Sequence, residues 1–458
     1  MTGRTQAPPT TAATAHPPAP PGPAPVLEAV PEVSAPAVAL CLDVHHRPEL
    51  SGTERRTAAL LAERLATTGY RTATGIGGHG VVGVLRNGPG PVVMLRAELD
   101  ALPIREESDL PYAATATAED ADGRAVAVAH ACGHDVHLAC AAGAADLLAR
   151  AADRWSGTLL VVGQPAEETL EGARAMLSDG LYERFGAPDT VLAQHTAPLP
   201  AGMVAHGSGP LLAASTLLEI TVHGRGGHAG TPQLAVDPVL TAAALVMRLQ
   251  AVVPRETSPA EHAVLTVGSL HAGSRGNIIP DTAVLEVSVR ACSEETLDRI
   301  AAAVRRIAAA ECAASDCPQE PTVRVLSRTP ATVCDPVRSE EVRRAHRAVF
   351  GPERVAVWPP SPATEDFPLY GPAGAHLHGS SQVRTAYWML GATGPRQWAE
   401  APGRTAAEKL AALPPNHSPR FRADLRLAVP TGITALATAA LGCLTTATDG
   451  NGGAADGN

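Results

Sequence analysis

The chain has 458 residues, 45% of them hydrophobic and 18% charged, enough for two domains with cores of their own. Its formal net charge of -10 and the lack of any basic run argue against a nucleic-acid partner, whose phosphates call for clustered Lys and Arg. Aromatic residues are scarce at 3%, a bias that carries no chemical information by itself.

The opening, rich in Thr, Ala and Pro, has no apolar stretch of the secretory kind. It reads as a disordered tail drawn over residues 1–35, with a short counterpart at 447–458. No later apolar run is expected to cross a bilayer, so the default expectation is a cytoplasmic protein with no membrane partner. Eight scattered cysteines, Cys41, Cys132, Cys140, Cys292, Cys312, Cys317, Cys334 and Cys443, do not form a disulfide framework; most read as small buried apolar groups.

From Ser51, helices and strands alternate. Ser51-Gly-Thr-Glu54 has capping-box spacing ahead of a helix over 53–68, stopped by Gly69. Val92–Leu95 reads as a buried strand, 136–152 as an Ala-rich helix, and Thr158–Val162 and Val191–Ala193 as further strands. This order predicts a helix-covered, mostly parallel α/β sheet with its site beyond the strands' carboxyl ends. A different pattern follows: strand 217–222, helix 238–253, strands 264–270 and 283–289, helix 294–312 and strand 322–326. That is the β-α-β-β-α-β order of a ferredoxin-like α+β unit, with Ser293 ahead of Glu294 and Glu295 as a good helix start. The expectation is a catalytic domain over 36–213 and 328–446, interrupted by a lid domain over 214–327. Helices over 339–349 and 432–444 belong to the returning part.

The densest cluster is His130-Ala-Cys-Gly-His-Asp-Val-His137. Cys132 and His134, two residues apart, face one pocket if the backbone is extended there, and Cys, His and carboxylate suit a borderline metal. Gly133 permits a tight turn between them. A surface loop rich in His is the competing explanation. A second cluster, Gln164-Pro-Ala-Glu-Glu168, follows a strand. Adjacent carboxylates point apart, so one can ligate metal while the other serves as general base; a solvated acidic pair at a helix start is the alternative. His195 in Gln194-His-Thr-Ala-Pro198 and His417 in Asn416-His-Ser-Pro419 are ligand candidates or ordinary surface histidines. In the insert, Gly224-Arg-Gly-Gly-His-Ala-Gly230 lacks both phosphate-loop fingerprints. Ser274-Arg-Gly-Asn-Ile-Ile-Pro-Asp281 presents Arg275 and Asn277, groups able to donate hydrogen bonds to a developing oxyanion.

Taken in order, HACGHDVH, QPAEE with GARAM, QHTAP, GRGGHAGTP, GNIIPD, TEDF and NHSP resemble one amidohydrolase family. It comprises N-acyl-amino-acid amidohydrolases, hippurate hydrolases and indoleacetyl-amino-acid hydrolases, among the aminoacylase and carboxypeptidase-type zinc metallopeptidases. The resemblance spans about Val38 to Leu444. It implies a small-molecule amide substrate and two divalent ions, with Zn, Mn, Co and Ni all suiting mixed N, O and S donors. Cys132 would bridge them; His134 and His195 would complete one ion, Glu168 and His417 the other. Glu167 would be the general base, His228 would polarise the scissile carbonyl, Asn277 would help bind substrate, and Asp100 would stand behind the metal ligands. Relatives commonly pair into homodimers through the insert.

Two departures stand out. Glu98 occupies a position where the family usually has Asp, and the stretch 391–415 before His417 is longer than usual, reshaping the pocket rim or merely looping over the surface. A dipeptidase or carboxypeptidase on the same scaffold, or a non-catalytic metal or ligand binder, are the other readings. Arg225, Arg275 and Arg290 are all open as holders of a substrate carboxylate.

Overall fold

The computed structural model describes residues 24–207 and 209–446. The proposed C-terminal tail and the first part of the proposed N-terminal tail lie outside these residues. The remainder of that N-terminal tail is a correction to the sequence reading. Residues 24–27 form a helical turn, and α1 (Val30–His46) starts well before residue 36. It buries Val33, Ala37, Cys41 and Val44, one side of a helix, so the Pro- and Ala-rich composition hid an amphipathic segment.

After α1 come α2 (Arg55–Thr67), β1 (Arg71–Ile76), β2 (Gly80–Asn87) and β3 (Val92–Glu98). The capping box expected before α2 does not form. Ser51 instead donates to Asp100 at 2.7 Å, and Glu54 accepts from the backbone N–H groups of Gly52 and Ala166. Next are α3 (His134–Arg150), β4 (Trp155–Gln164), β5 (Thr190–Pro200) and β6 (Val204–His206).

The insert contributes β7 (Ala214–His223), α4 (Pro238–Leu249), β8 (Ala263–Ala272), β9 (Thr282–Ala291), α5 (Glu294–Ala314) and β10 (Thr322–Thr329). The chain returns through α6 (Pro336–Phe350), β11 (Val355–Val357), β12 (Arg384–Thr393) and α7 (Leu425–Cys443).

The large sheet runs β1-β2-β4-β3-β5-β12-β6-β11. Its four central strands, β4, β3, β5 and β12, are parallel, and antiparallel pairs flank them. Alternation along these strands explains the two cores. Leu159, Val161, Val93, Leu95, Leu192, Trp388 and Leu390 pack with α1, α3 and α7. Leu160, Val162, Met94, Val191, Ala193, Tyr387 and Met389 face the opposite layer with Met176, Tyr182 and Phe367.

The insert is a four-stranded antiparallel sheet in the order β8-β9-β7-β10, as the ferredoxin-like pattern requires. Leu218, Ile220, Leu285 and Val287 pack beneath Leu245 and Leu249 of α4 and Ile300 and Val304 of α5. Ser293 caps α5 as expected, its hydroxyl accepting from Thr296 N–H.

Among the described residues α7 is long and apolar enough, by length and composition, to cross a membrane, which the sequence reading did not anticipate. In the fold it lies in the larger core, with Ala428, Val429, Ile433, Ala437 and Ala440 fully buried against α1 and α3.

Candidate metal and active site

The site collects where the parallel strands end and α3 begins. β3 leads into Asp100, β4 leads into Glu167 and Glu168, and β5 carries His195. Gly133 begins α3 with φ +80°, and a Cβ there would stand 2.4 Å from Thr196 Oγ1. Only glycine satisfies both conditions, so this turn can present Cys132 and His134 to the same space.

Cys132, His134 and His195 place donor atoms within 4.8 Å of one another, and so do Cys132, Glu168 and His417. Cys132 belongs to both groups. The carbonyl oxygens behind the two rings set the tautomers. His134 Nδ1 lies 3.0 Å from Asp100 O, and His195 Nδ1 lies 2.8 Å from Thr196 O. Each Nδ1–H donates to a carbonyl that can only accept, which turns both Nε2 atoms to the site. His195 Nε2 is 3.3 Å from Cys132 Sγ, His134 Nε2 is 3.7 Å from Glu168, and His417 Nε2 is 3.3 Å from Glu168. Asp100 also accepts from Glu168 N–H at 2.9 Å, so one carboxylate orients ligands on two loops.

The electrostatics are those of a cation site. Burial alone would lower His134, but its Asp100 hydrogen bond and the Glu98 and Asp100 charges outweigh it and raise the imidazole to about 10. Burial first, then the charges of Glu168 and Glu167, pushes the Cys132 thiol well above its ordinary value. Burial and then Glu365 and Glu168 do the same to Glu167. His195, lowered to about 4 by burial and by His137, is a neutral imidazole. His134 Nε2 and Glu168 Oε1 are buried without any hydrogen-bond partner. Surplus negative charge around N, O and S donor atoms fits divalent ions of the kind these ligand types prefer.

Behind this centre a buried network stiffens the strand ends. Arg96 contacts Glu98, Glu365 at 2.7 Å and Asp366 at 3.0 Å, and its Nε donates to Gln164. Glu98 accepts from His137 Nδ1 at 2.7 Å, while His137 Nε2 accepts from Thr196 N–H.

A cavity of about 380 Å³ opens onto Cys132, Glu167, Glu168, His195 and His417. Leu170, Leu212, Trp358 and Met389 give it apolar walls, and Arg290, from β9 of the insert, is its one arginine. Arg225 and Arg275 are exposed elsewhere on the insert. His228 and Asn277 are brought close to each other, on an antiparallel pair joining 227–228 to 278–279, but both are exposed and neither lines the cavity. The stretch 391–415 completes β12 and then forms two short helices, Pro395–Glu400 and Ala406–Ala412, none of whose residues line this cavity. Sequence reasoning gave no role to Thr196, His137 or Asn416, although each sits inside a motif already singled out.

A model of the Peptidase family M20/M25/M40 matches residues 94–402. A hippurate hydrolase of Campylobacter jejuni is 40% identical over 55% of this chain, an alignment that spans 63% of the relative. Thermostable carboxypeptidase 2 of Saccharolobus solfataricus is 31% identical, covering 83% of this chain and 88% of its own length. Among solved structures, the Bacillus subtilis YXEP protein, described as a dinuclear metal binding peptidase of the M20 family, superposes with a TM-score of 0.70 at 25% identity, covering 90% of this chain and 98% of that one. By sequence and by fold, this chain belongs to the Peptidase family M20/M25/M40, the metal-dependent hydrolases of amide bonds.

Proposed function

We propose that the chain hydrolyses an N-acyl amino acid to a carboxylic acid and a free amino acid. The supporting observation is one cavity that combines the shared-cysteine donor set, Glu167, apolar walls and a single arginine. Cys132, His134 and His195 would hold one divalent ion and Cys132, Glu168 and His417 the other. Bound there, such ions supply Lewis acidity and make a water nucleophilic at neutral pH.

The chain's own groups do the rest. The Glu167 carboxylate takes a proton from the attacking water, whose oxygen bonds to the carbonyl carbon. The same proton passes to the amide nitrogen as the C–N bond breaks, so the amine leaves neutral. Arg290 receives the substrate carboxylate, and the Leu170, Leu212, Trp358 and Met389 surface receives the acyl group. His228 and Asn277 reach the carbonyl oxygen only when the insert closes over the cavity, a movement this reading requires.

Homodimerisation through the insert has its own support. β8 is an edge strand exposing Val264 and Leu270, and α4 exposes Leu240 and Met247. The eight cysteines, all free, favour a reducing, cytoplasmic location.

A carboxypeptidase is the second reading, favoured by the relative of that name and compatible with the same arginine. Amine release is measured from N-acyl amino acids and dipeptides in parallel, after chelation and after restoring Zn, Mn, Co or Ni. Metal-restored cleavage of the N-acyl compounds is expected. Faster cleavage of dipeptides would favour the peptidase, and no turnover with metal bound would sink both.

A further inference from the structure

Three of the segments that carry ligands meet at one side chain. Asn416 Nδ2 lies 3.1 Å from Cys132 O, 3.2 Å from Thr196 O, 3.4 Å from Thr196 Oγ1 and 3.9 Å from Cys132 Sγ. Two of these are carbonyl oxygens, which only accept, so the amide must present its nitrogen here rather than its oxygen. Asn416 thereby ties the Cys132 turn to the strand carrying His195, and it is itself the residue before His417.

His417 depends on that tie more than the other ligands do. Its backbone is left-handed, with φ +68°, a conformation that disfavours any residue with a Cβ. Its side chain is half exposed, at 53%, and its ion-pair partner among the described residues is Glu168. The strained turn is held by two cross-links to the Cys132 segment: His417 N–H to Ala131 O at 2.8 Å, and the Asn416 amide. His134, by contrast, is fixed by Asp100 without help from Asn416, and His195 by the carbonyl of Thr196, which Asn416 also reaches but which the pairing of β5 with β12 already holds in place.

We infer that Asn416 is a positioning residue for the ion held by Cys132, Glu168 and His417, and that its loss weakens the binding of this ion selectively. The inference rests on the two-ion reading of the site. It assigns no chemistry on the substrate to Asn416; the residue acts through the backbone of His417 and through an N–H directed at the sulfur shared by both ions.

The test is calorimetric titration of Co(II) into chelator-stripped protein, with the sulfur-to-cobalt charge-transfer absorption followed in parallel. Wild type is expected to bind two ions. Asn416→Leu, which keeps the volume and removes the donor, is expected to bind one ion at wild-type affinity and the second about 10- to 100-fold more weakly. Its charge-transfer band should persist, reporting an intact Cys132 in the first position. Asn416→Ser, shorter and still polar, provides the same comparison if the leucine variant does not fold. Two ions bound within twofold of wild type, or loss of both ions together, would overturn the inference while leaving the two-ion site standing. A wild-type protein that binds fewer than two ions would overturn that site and the role of Asn416 with it.

Discussion

His134 Nδ1 lies 3.0 Å from the main-chain oxygen of Asp100 and 3.3 Å from its carboxylate, so a single residue holds the imidazole by two kinds of acceptor. The carboxylate's other oxygen accepts from Ser51 and from Glu168 N–H. Asp100→Ala therefore loosens ligands on both sides of the shared cysteine. Metal affinity of the stripped protein should fall about 10- to 100-fold, read by titration. An unchanged affinity would mean that the backbone carbonyl alone orients His134.

Glu167→Gln keeps the shape of the side chain and removes its basicity. Turnover should fall by about 10²- to 10⁴-fold while the metal content stays at the wild-type level. Activity within a few-fold of wild type would move the base to another residue.

Arg290→Ala removes the cavity's one arginine but leaves the donor set untouched. For substrates with a free carboxylate, kcat/KM is expected to drop by roughly 10- to 150-fold, the range for losing a charge-assisted hydrogen bond. The matching amide-capped substrates should be nearly indifferent to the change. Equal losses on both would assign Arg290 to holding the insert, through its 2.8 Å bond to Pro362 O, and not to the substrate.

A buried pair remote from the donor set predicts acid sensitivity. His206 Nε2 lies 3.0 Å from His346 Nδ1, and His346 Nε2 lies 3.0 Å from Ala435 O of α7. Burial lowers His346 to about 4, and burial, His346 and Arg343 lower His206 further. Above about pH 6.5 both states are neutral and the pair adds no pH dependence. Below it the unfolded chain takes up protons that the folded chain refuses, so stability falls progressively until the folded value is reached. For His346 alone the loss amounts to on the order of 3 kcal/mol near pH 4. Thermal unfolding from pH 7 to 4.5 should show this slope, and His346→Gln should flatten it. An equally steep slope in the variant would place the acid-sensitive groups elsewhere.

Legibility in the sequence followed the local physics. The insert's six elements could be read in order because each carries its own period and turns, and Ser293 marks a helix start by local chemistry alone. β12 was missed: Arg-Thr-Ala-Tyr-Trp-Met-Leu has no β-branched run, and it is a central strand only because β5 and β6 pair with it. β1 is largely exposed, so no buried run announced it. The Pro- and Ala-rich composition also placed α1 partly in a tail, although Val30, Val33, Ala37, Cys41 and Val44 line its buried side. At the site, Cys132, His134, His195, His417 and the Glu167–Glu168 pair drew notice by donor type, and the family resemblance alone proposed which of them act as ligands. Asn416 did not, because an amide beside a histidine acquires meaning only when the Cys132 and Thr196 carbonyls are seen to converge on it.

The placement of α7 has a consequence for how the protein is made. α1 and α3 leave the ribosome early, yet the groove between them stays open until α7 is synthesised, long after the insert could have folded. During that interval an apolar groove waits for an apolar helix that resembles a membrane span. Nascent chains arrested before Leu425 should be retained by chaperones or lost to aggregation. The insert, whose core shares nothing with α7, should by then be protected from protease.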